Sequence, residues 1–271
     1  MYTIFGSKGF IGSEIQKYLL KNKKKIFLPK KNQYNFKKNL GNVIYCVGSD
    51  DWKKYPKKGF ESNLGHLKNI LFKSKYKSFL FMSTSRVYIN NLKSSTREEN
   101  SIKVNSSNLN DYYNLLKLTS EAICLNNKNK NVKVVRLSNV LGNNFKSPLV
   151  LPSLIRDAIK TKKITLLINK NSTKDYIGIE DVIKLIFKIK SKGKEKLYNV
   201  ASGKNIKLIE IVKIIKKQIK CKVILKNQSK KIEEPSININ RIKKEFNFKP
   251  TENIKKQIKF TVLNFKKFYK K

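Results

Sequence analysis

Apolar positions near the start of the chain change period from strand-like to helix-like. Tyr2-Thr3-Ile4-Phe5 is a short β-prone run, and beyond it Ile11, Ile15, Leu19 and Leu20 recur at helical spacing suited to packing on a sheet. Lys25-Ile26-Phe27-Leu28 reads as a second strand, stopped by Pro29-Lys30-Lys31. Val43-Ile44-Tyr45-Cys46-Val47-Gly48 is an apolar run closed by glycine, the pattern of a buried parallel strand. From Phe60 to Phe72 the spacing predicts a helix with Leu64, Leu67, Ile70 and Leu71 on its apolar side. Phe79-Leu80-Phe81-Met82 is the next strand, followed at once by the hydroxyl residues Ser83, Thr84 and Ser85. Strands alternating with helices predict an α/β fold with a doubly wound parallel sheet.

The 271 residues are ample for a real hydrophobic core in one or two lobes. No apolar run reaches the roughly 18 residues of a membrane span, and the glycines begin too early for a signal peptide. The expectation is therefore a cytoplasmic protein with no membrane partner. The three cysteines form no C-x-x-C pair and read as reduced structural thiols, with no metal site. The formal charge of +43 admits a nucleic-acid partner. Its lysines are dispersed, however, without an arginine cluster, a zinc-finger pattern or an RNP-like aromatic motif, so a solvated basic surface is expected and no nucleic acid.

Candidate chemistry begins between the first strand and helix, at Gly6-Ser7-Lys8-Gly9-Phe10-Ile11-Gly12. Closely spaced glycines leading into a helix present backbone N–H groups and the positive end of the helix dipole to a dinucleotide pyrophosphate. The G-x-x-G-x-x-G spacing departs from the commoner G-x-G-x-x-G, and such a turn also occurs where nothing binds. At the end of the second strand, Lys30 and Lys31 stand where an acidic residue would take the ribose hydroxyls of NAD; a basic residue accommodates the 2′-phosphate of NADP, which tilts the cofactor toward NADP(H) over NAD(H). Hydroxyls at the end of a central strand sit where open α/β sheets bind ligands, or simply cap the strand. Farther on, Tyr113 and Lys117 are four apart in a helical context and project from one face. An ammonium near a phenol favours the phenolate and makes the tyrosine a usable acid/base near neutral pH.

These segments, in this order, resemble the extended short-chain dehydrogenase/reductases of the NAD-dependent epimerase/dehydratase family, which act largely on nucleotide sugars. The resemblance takes in the glycine loop, Val43 to Gly48, the shortened N-x-x-G at Asn63-Leu64-Gly65, and Ser83-Thr84-Ser85-Arg86-Val87-Tyr88. It continues through Tyr113-x-x-x-Lys117 with Glu121, Val134 to Gly142 with its R-x-x-N-x-x-G turn, Lys174 to Val182, and Tyr198-Asn199-Val200-Ala201-Ser202-Gly203. Arg241 to Pro250 is similar to the family's closing helix, with Asn247 where glycine is usual.

The resemblance implies a Rossmann-type sheet over residues 1–142, with 174–201 returning to it, and a smaller substrate lobe from 143–173 and 202–271. It implies that Gly6, Gly9, Phe10, Ile11, Gly12, Lys30, Val47, Asn63 and Ser83 line the cofactor. Thr84 would hydrogen-bond the reacting sugar oxygen, Tyr113 would be the acid/base, and Lys117 would hold the nicotinamide ribose. Ser85, Asn139 and Lys174 would face a nucleotide-diphosphate sugar, with Lys174 in place of the usual arginine. A homodimer is also implied. Family 4,6-dehydratases carry an Asp-Glu pair after the threonine; here Ser85-Arg86 stands instead, and arginine is no base, so dehydration is disfavoured. Two enzyme readings remain, a 4-ketoreductase, toward which Lys30, Lys31 and the short C-terminal lobe lean, and a 4-epimerase. A third, a non-catalytic NADPH sensor or nucleic-acid-associated protein, is opposed by the presence of both Tyr113 and Lys117.

Overall fold

The structure, a computed structural model, describes all residues except 32, 34, 49–51, 92–94, 227, 230, 252 and 271. β1 (Tyr2–Phe5) leads through the glycine loop to α1 (Phe10–Lys21), then β2 (Ile26–Phe27) and β3 (Asn42–Tyr45). α2 (Pro56–Phe60) runs through a π turn (Glu61–Gly65) into α3 (His66–Lys73). β4 (Ser78–Thr84) ends in one 3-10 turn (Ser85–Tyr88), and α4 (Leu109–Leu125) returns the chain to β5 (Val132–Leu137). β6 (Asn139–Leu141), α5 (Val150–Lys160), β7 (Lys163–Leu166) and β8 (Thr173–Gly178) come next. The remainder is α6 (Ile179–Lys192), β9 (Leu197–Val200), β10 (Asn205–Lys207), α7 (Leu208–Gln218), β11 (Lys222–Leu225), α8 (Asn240–Phe246) and α9 (Ile254–Lys270).

The main sheet has the order β2-β1-β3-β4-β5-β9, and all of its pairings are parallel. Strand order reverses between β1 and β3, and in open parallel sheets ligands bind at the carboxyl ends of the strands at that switch point. Ile15 and Leu19 of α1, one helical turn apart, are buried in the core that also takes in Ile4, Ile44 and Tyr198. Each buried aliphatic side chain of this kind is worth about 1.5–3 kcal/mol. A second core, built on Leu154, Ile155, Ile211, Ile215, Val262 and Phe265, joins α5, α7 and α9. Beside it lie a three-stranded sheet of order β10-β8-β6 and the parallel pair β11-β7.

Two segments differ from the expected division of the chain. Within the expected returning segment, β9 pairs with β5 and α6 packs into the main core, whereas β8 pairs with β6 and β10. Conversely, Ile237, Ile239, Ile242, Phe246 and Phe248 fall inside the expected lobe yet pack into the main core. Their apolar spacing gives α8 one buried face, which lies over β9, with Phe246 5.7 Å from the Tyr198 ring. No helix among the described residues is long and apolar enough to cross a membrane.

Candidate active site

The glycine loop closes against β3. Gly6 has φ +79°, and a Cβ there would lie 2.9 Å from the Cys46 carbonyl carbon, so only glycine fits both the conformation and the space. A Cβ on Gly12 would collide with the Gly6 carbonyl oxygen. Gly9, whose N–H donates to Gly6 O at 3.0 Å, caps α1 without a side-chain bond, and the first turn holds no acidic residue. The positive end of α1 therefore faces the switch point with no carboxylate of its own. Phe10 turns its ring against Gly142, Ile11 packs on the main core, and Val47 packs beside the loop with its N–H next to Gly6. Lys30 is exposed just beyond β2.

Asn63, in the π turn, is fully buried; its Nδ2 donates to Gly59 O at 2.8 Å and its carbonyl accepts from Ser120 Oγ at 2.9 Å. Its Oδ1 has no hydrogen-bond partner among the described residues. A Cβ on Gly48 would lie 3.9 Å from that Oδ1 and 4.0 Å from Lys117 Nζ, so the end of β3, the π turn and α4 enclose one polar corner. A buried acceptor beside an ammonium suits the hydroxyls of a ribose. The corner and the uncapped helix together fit a dinucleotide.

Lys117, 4% exposed, donates to Met82 O at 3.1 Å and sits 4.9 Å from the Phe81 ring centroid and 5.8 Å from that of Tyr113. The same ammonium opposes a burial effect that pushes the Cys46 thiol up to about 12, so Cys46 stays protonated. Thr84 ends β4, its Oγ1 accepting from Arg86 N at 3.1 Å, and Ser85 is buried beside it. The geometry thus brings Tyr113 and Lys117 together in the first half of α4, with the ammonium tied to Met82, two residues before Thr84 at the end of β4.

Ser83 faces elsewhere. Its hydroxyl donates to Glu121, and Glu121 grips Arg136 through Nε–Oε2 at 3.0 Å and Nη2–Oε2 at 2.6 Å. Arg136 also donates to Tyr88 Oη, which donates in turn to Asn199 Oδ1 at 3.0 Å. Burial works against the Arg136 charge, but Glu121 and Tyr88 outweigh it and raise its pKa. Neighbouring side chains on a strand point to opposite faces, which separates Ser83 from Thr84.

Asn139 and Lys174, expected to face a diphosphate, converge on one carboxylate. Lys174 Nζ is 2.7 Å from Glu234 Oε1, and Asn139 Nδ2 donates to Glu234 Oε2 at 3.2 Å and to Asp175 O at 2.9 Å. Glu234 carries no local signal in the sequence. Trp52 is likewise unannounced by any motif: 8% exposed, its ring stacks on Tyr113 at 5.9 Å between centroids and 20° between planes. A lone tryptophan in the lysine-rich run Trp52-Lys53-Lys54-Tyr55-Pro56 was the available clue.

A parallel sheet with a glycine loop at its switch point and a tyrosine–lysine pair beside it defines a dinucleotide-binding α/β protein. Residues 36–201 match the NAD dependent epimerase/dehydratase family, and the chain belongs to that family. No curated protein matches it. Among solved structures, RMD from Pseudomonas aeruginosa complexed with NADPH is similar, with a TM-score of 0.80 at 20% identity over 98% of this chain and 100% of that one. The UDP-glucose 4-epimerase of Thermotoga maritima with UDP-glucose gives 0.83 at 17% over 99% of each. The dTDP-glucose 4,6-dehydratase of Bacillus anthracis with NAD gives 0.80 at 18% over 98% of this chain and 96% of that one.

Proposed function

We propose that the protein is an NAD(P)-dependent oxidoreductase acting at ring C4 of a nucleotide-diphosphate sugar, and that it works as a 4-ketoreductase. The observation that carries this reading is the Tyr113–Lys117 pair beside the polar corner of Asn63, its ammonium held by the strand that ends at Thr84. When bound, the nicotinamide supplies the hydride. The glycine loop would hold its pyrophosphate, and Asn63 Oδ1 with Lys117 would take the nicotinamide ribose.

The chain's own part is proton handling and orientation. Thr84 Oγ1 would hold the sugar oxygen, and Tyr113 Oη would give it a proton as the carbonyl becomes an alcohol. Lys117, fixed by the Met82 carbonyl, would stabilise the phenolate that remains. Arg86 in place of a carboxylate speaks against water elimination. Lys30, exposed beyond β2, supports NADP(H), and RMD from Pseudomonas aeruginosa was solved with NADPH.

The test is to release and identify any cofactor that purifies with the protein, then follow NADPH absorbance with a panel of nucleotide 4-keto sugars. An empty site that takes NADPH and consumes it on a keto sugar supports the reductase. Tightly held NAD, with interconversion of C4 epimers and no net oxidation, replaces it with the 4-epimerase.

A further inference from the structure

Arg86 is the one residue of the β4 turn whose charge the reading above leaves unused. Its backbone N–H bonds Thr84 Oγ1, and its Nη2 donates to the Asn110 carbonyl at 3.4 Å, so the guanidinium bridges the elements that carry Thr84 and Tyr113. Asn110 lies one helical turn ahead of Tyr113. From the other side, Lys53 Nζ donates to Asn110 Oδ1 at 2.7 Å, which brings a second cation to the same residue. The nearest carboxylate on α4, Asp111, is taken by amides: Oδ2 accepts from Asn90 Nδ2 and Asn105 N, and Oδ1 from Asn114 Nδ2.

Arg86 is only half-exposed, and its Nε is buried with no hydrogen-bond partner among the described residues. The comparison with Arg136, whose charge is met by the Glu121 carboxylate, shows what such a guanidinium needs. A buried donor left without an acceptor is costly, and a planar guanidinium matches a carboxylate through two parallel bonds. The diphosphate's expected partners, Asn139 and Lys174, come from β6 and β8, so Arg86 and Lys53, which meet at Asn110 one turn ahead of Tyr113, form a separate positive site.

We propose, resting on the nucleotide-sugar reading, that Arg86 with Lys53 binds a carboxylate on the sugar ring of the substrate, so that the protein acts on a nucleotide-linked uronic or keto-uronic acid rather than a neutral hexose. Arg86 sets specificity in this arrangement, and Tyr113 still moves the proton.

Binding is measured by calorimetry for matched pairs, such as UDP-glucuronate against UDP-glucose and the corresponding thymidine and guanosine diphosphates, on the full chain with NADP(H) present. The expected result is about tenfold to a hundredfold tighter binding of the uronate, the range of a charge-assisted hydrogen bond. Arg86→Gln brings that ratio to about one while NADP(H) binding and thermal midpoint stay in place, and Arg86→Lys keeps part of it. Equal affinity of the wild type for both sugars overturns the proposal and leaves the nucleotide-sugar reading standing. So does an equal loss for both sugars in Arg86→Gln, which would mean that the guanidinium holds the diphosphate. If no nucleotide sugar of any base binds, the underlying reading falls, and this inference falls with it.

Discussion

Two polar clusters share β4 and α4 and differ in how completely the protein satisfies them. Ser83, Glu121, Arg136, Tyr88 and Asn199 form a closed network in which Glu121 and Arg136 are 2% and 4% exposed and meet in a multiply bonded ion pair. A turn away on the helix, Lys117, held by the Met82 carbonyl of β4, and Asn63 border a corner with a buried acceptor left over. A closed network fixes the position of strands and helix; an incomplete one is finished by something that arrives from outside. The contrast teaches that family motifs mix both kinds: Tyr113-x-x-x-Lys117 and Glu121 belong to one sequence signature, yet Glu121 works as scaffold.

Substitutions can break this contrast, and the largest effect should come from Tyr113→Phe. Its kcat is expected to fall by about 10²–10⁴ with cofactor affinity and thermal midpoint unchanged; a protein as active as wild type would remove Tyr113 from the chemistry. Glu121→Ala should do the opposite. Stranding the Arg136 charge is expected to cost about 3–5 kcal/mol in urea unfolding, and a stable variant would show the network to be dispensable. Next comes Gly12→Ala, whose methyl meets the Gly6 carbonyl: a strain of about 1–3 kcal/mol is expected, visible as weaker cofactor binding by calorimetry. The smallest is Trp52→Ala, which removes a stacked pair worth about 0.5–1.5 kcal/mol beyond burial. It should lower kcat by about tenfold through a looser Tyr113 and leave KM almost untouched. Trp52→Phe should recover most of that loss, and a KM effect alone would place the indole on the substrate instead.

What could be read in the sequence was local. The strand, glycine loop and helix from Tyr2 to Lys21 are contiguous, and Gly6 and Gly12 have a steric reason in the close approach of neighbouring backbone. The Tyr113 and Lys117 pair needed only the helical period. The helix predicted from Phe60 begins at Pro56, where proline at the first helical position was the missed signal. Partners remote in the chain were not legible. Nothing near Lys174 points to Glu234, sixty residues on, and nothing near Tyr113 points to Trp52. Ser83 and Thr84 look alike as hydroxyls in the sequence, because only the strand's alternation in three dimensions assigns one to Glu121 and the other to the turn.

The Trp52 stack has a practical consequence. The chain holds a single tryptophan, and it lies against the ring of Tyr113. Tryptophan fluorescence of the unlabelled protein, excited to the red of tyrosine absorption, therefore originates at one point, with no second indole to dilute it. Arrival of a ligand, displacement of the phenol or departure of product would each be written in that emission, so the protein carries its own optical probe beside the atoms proposed to react.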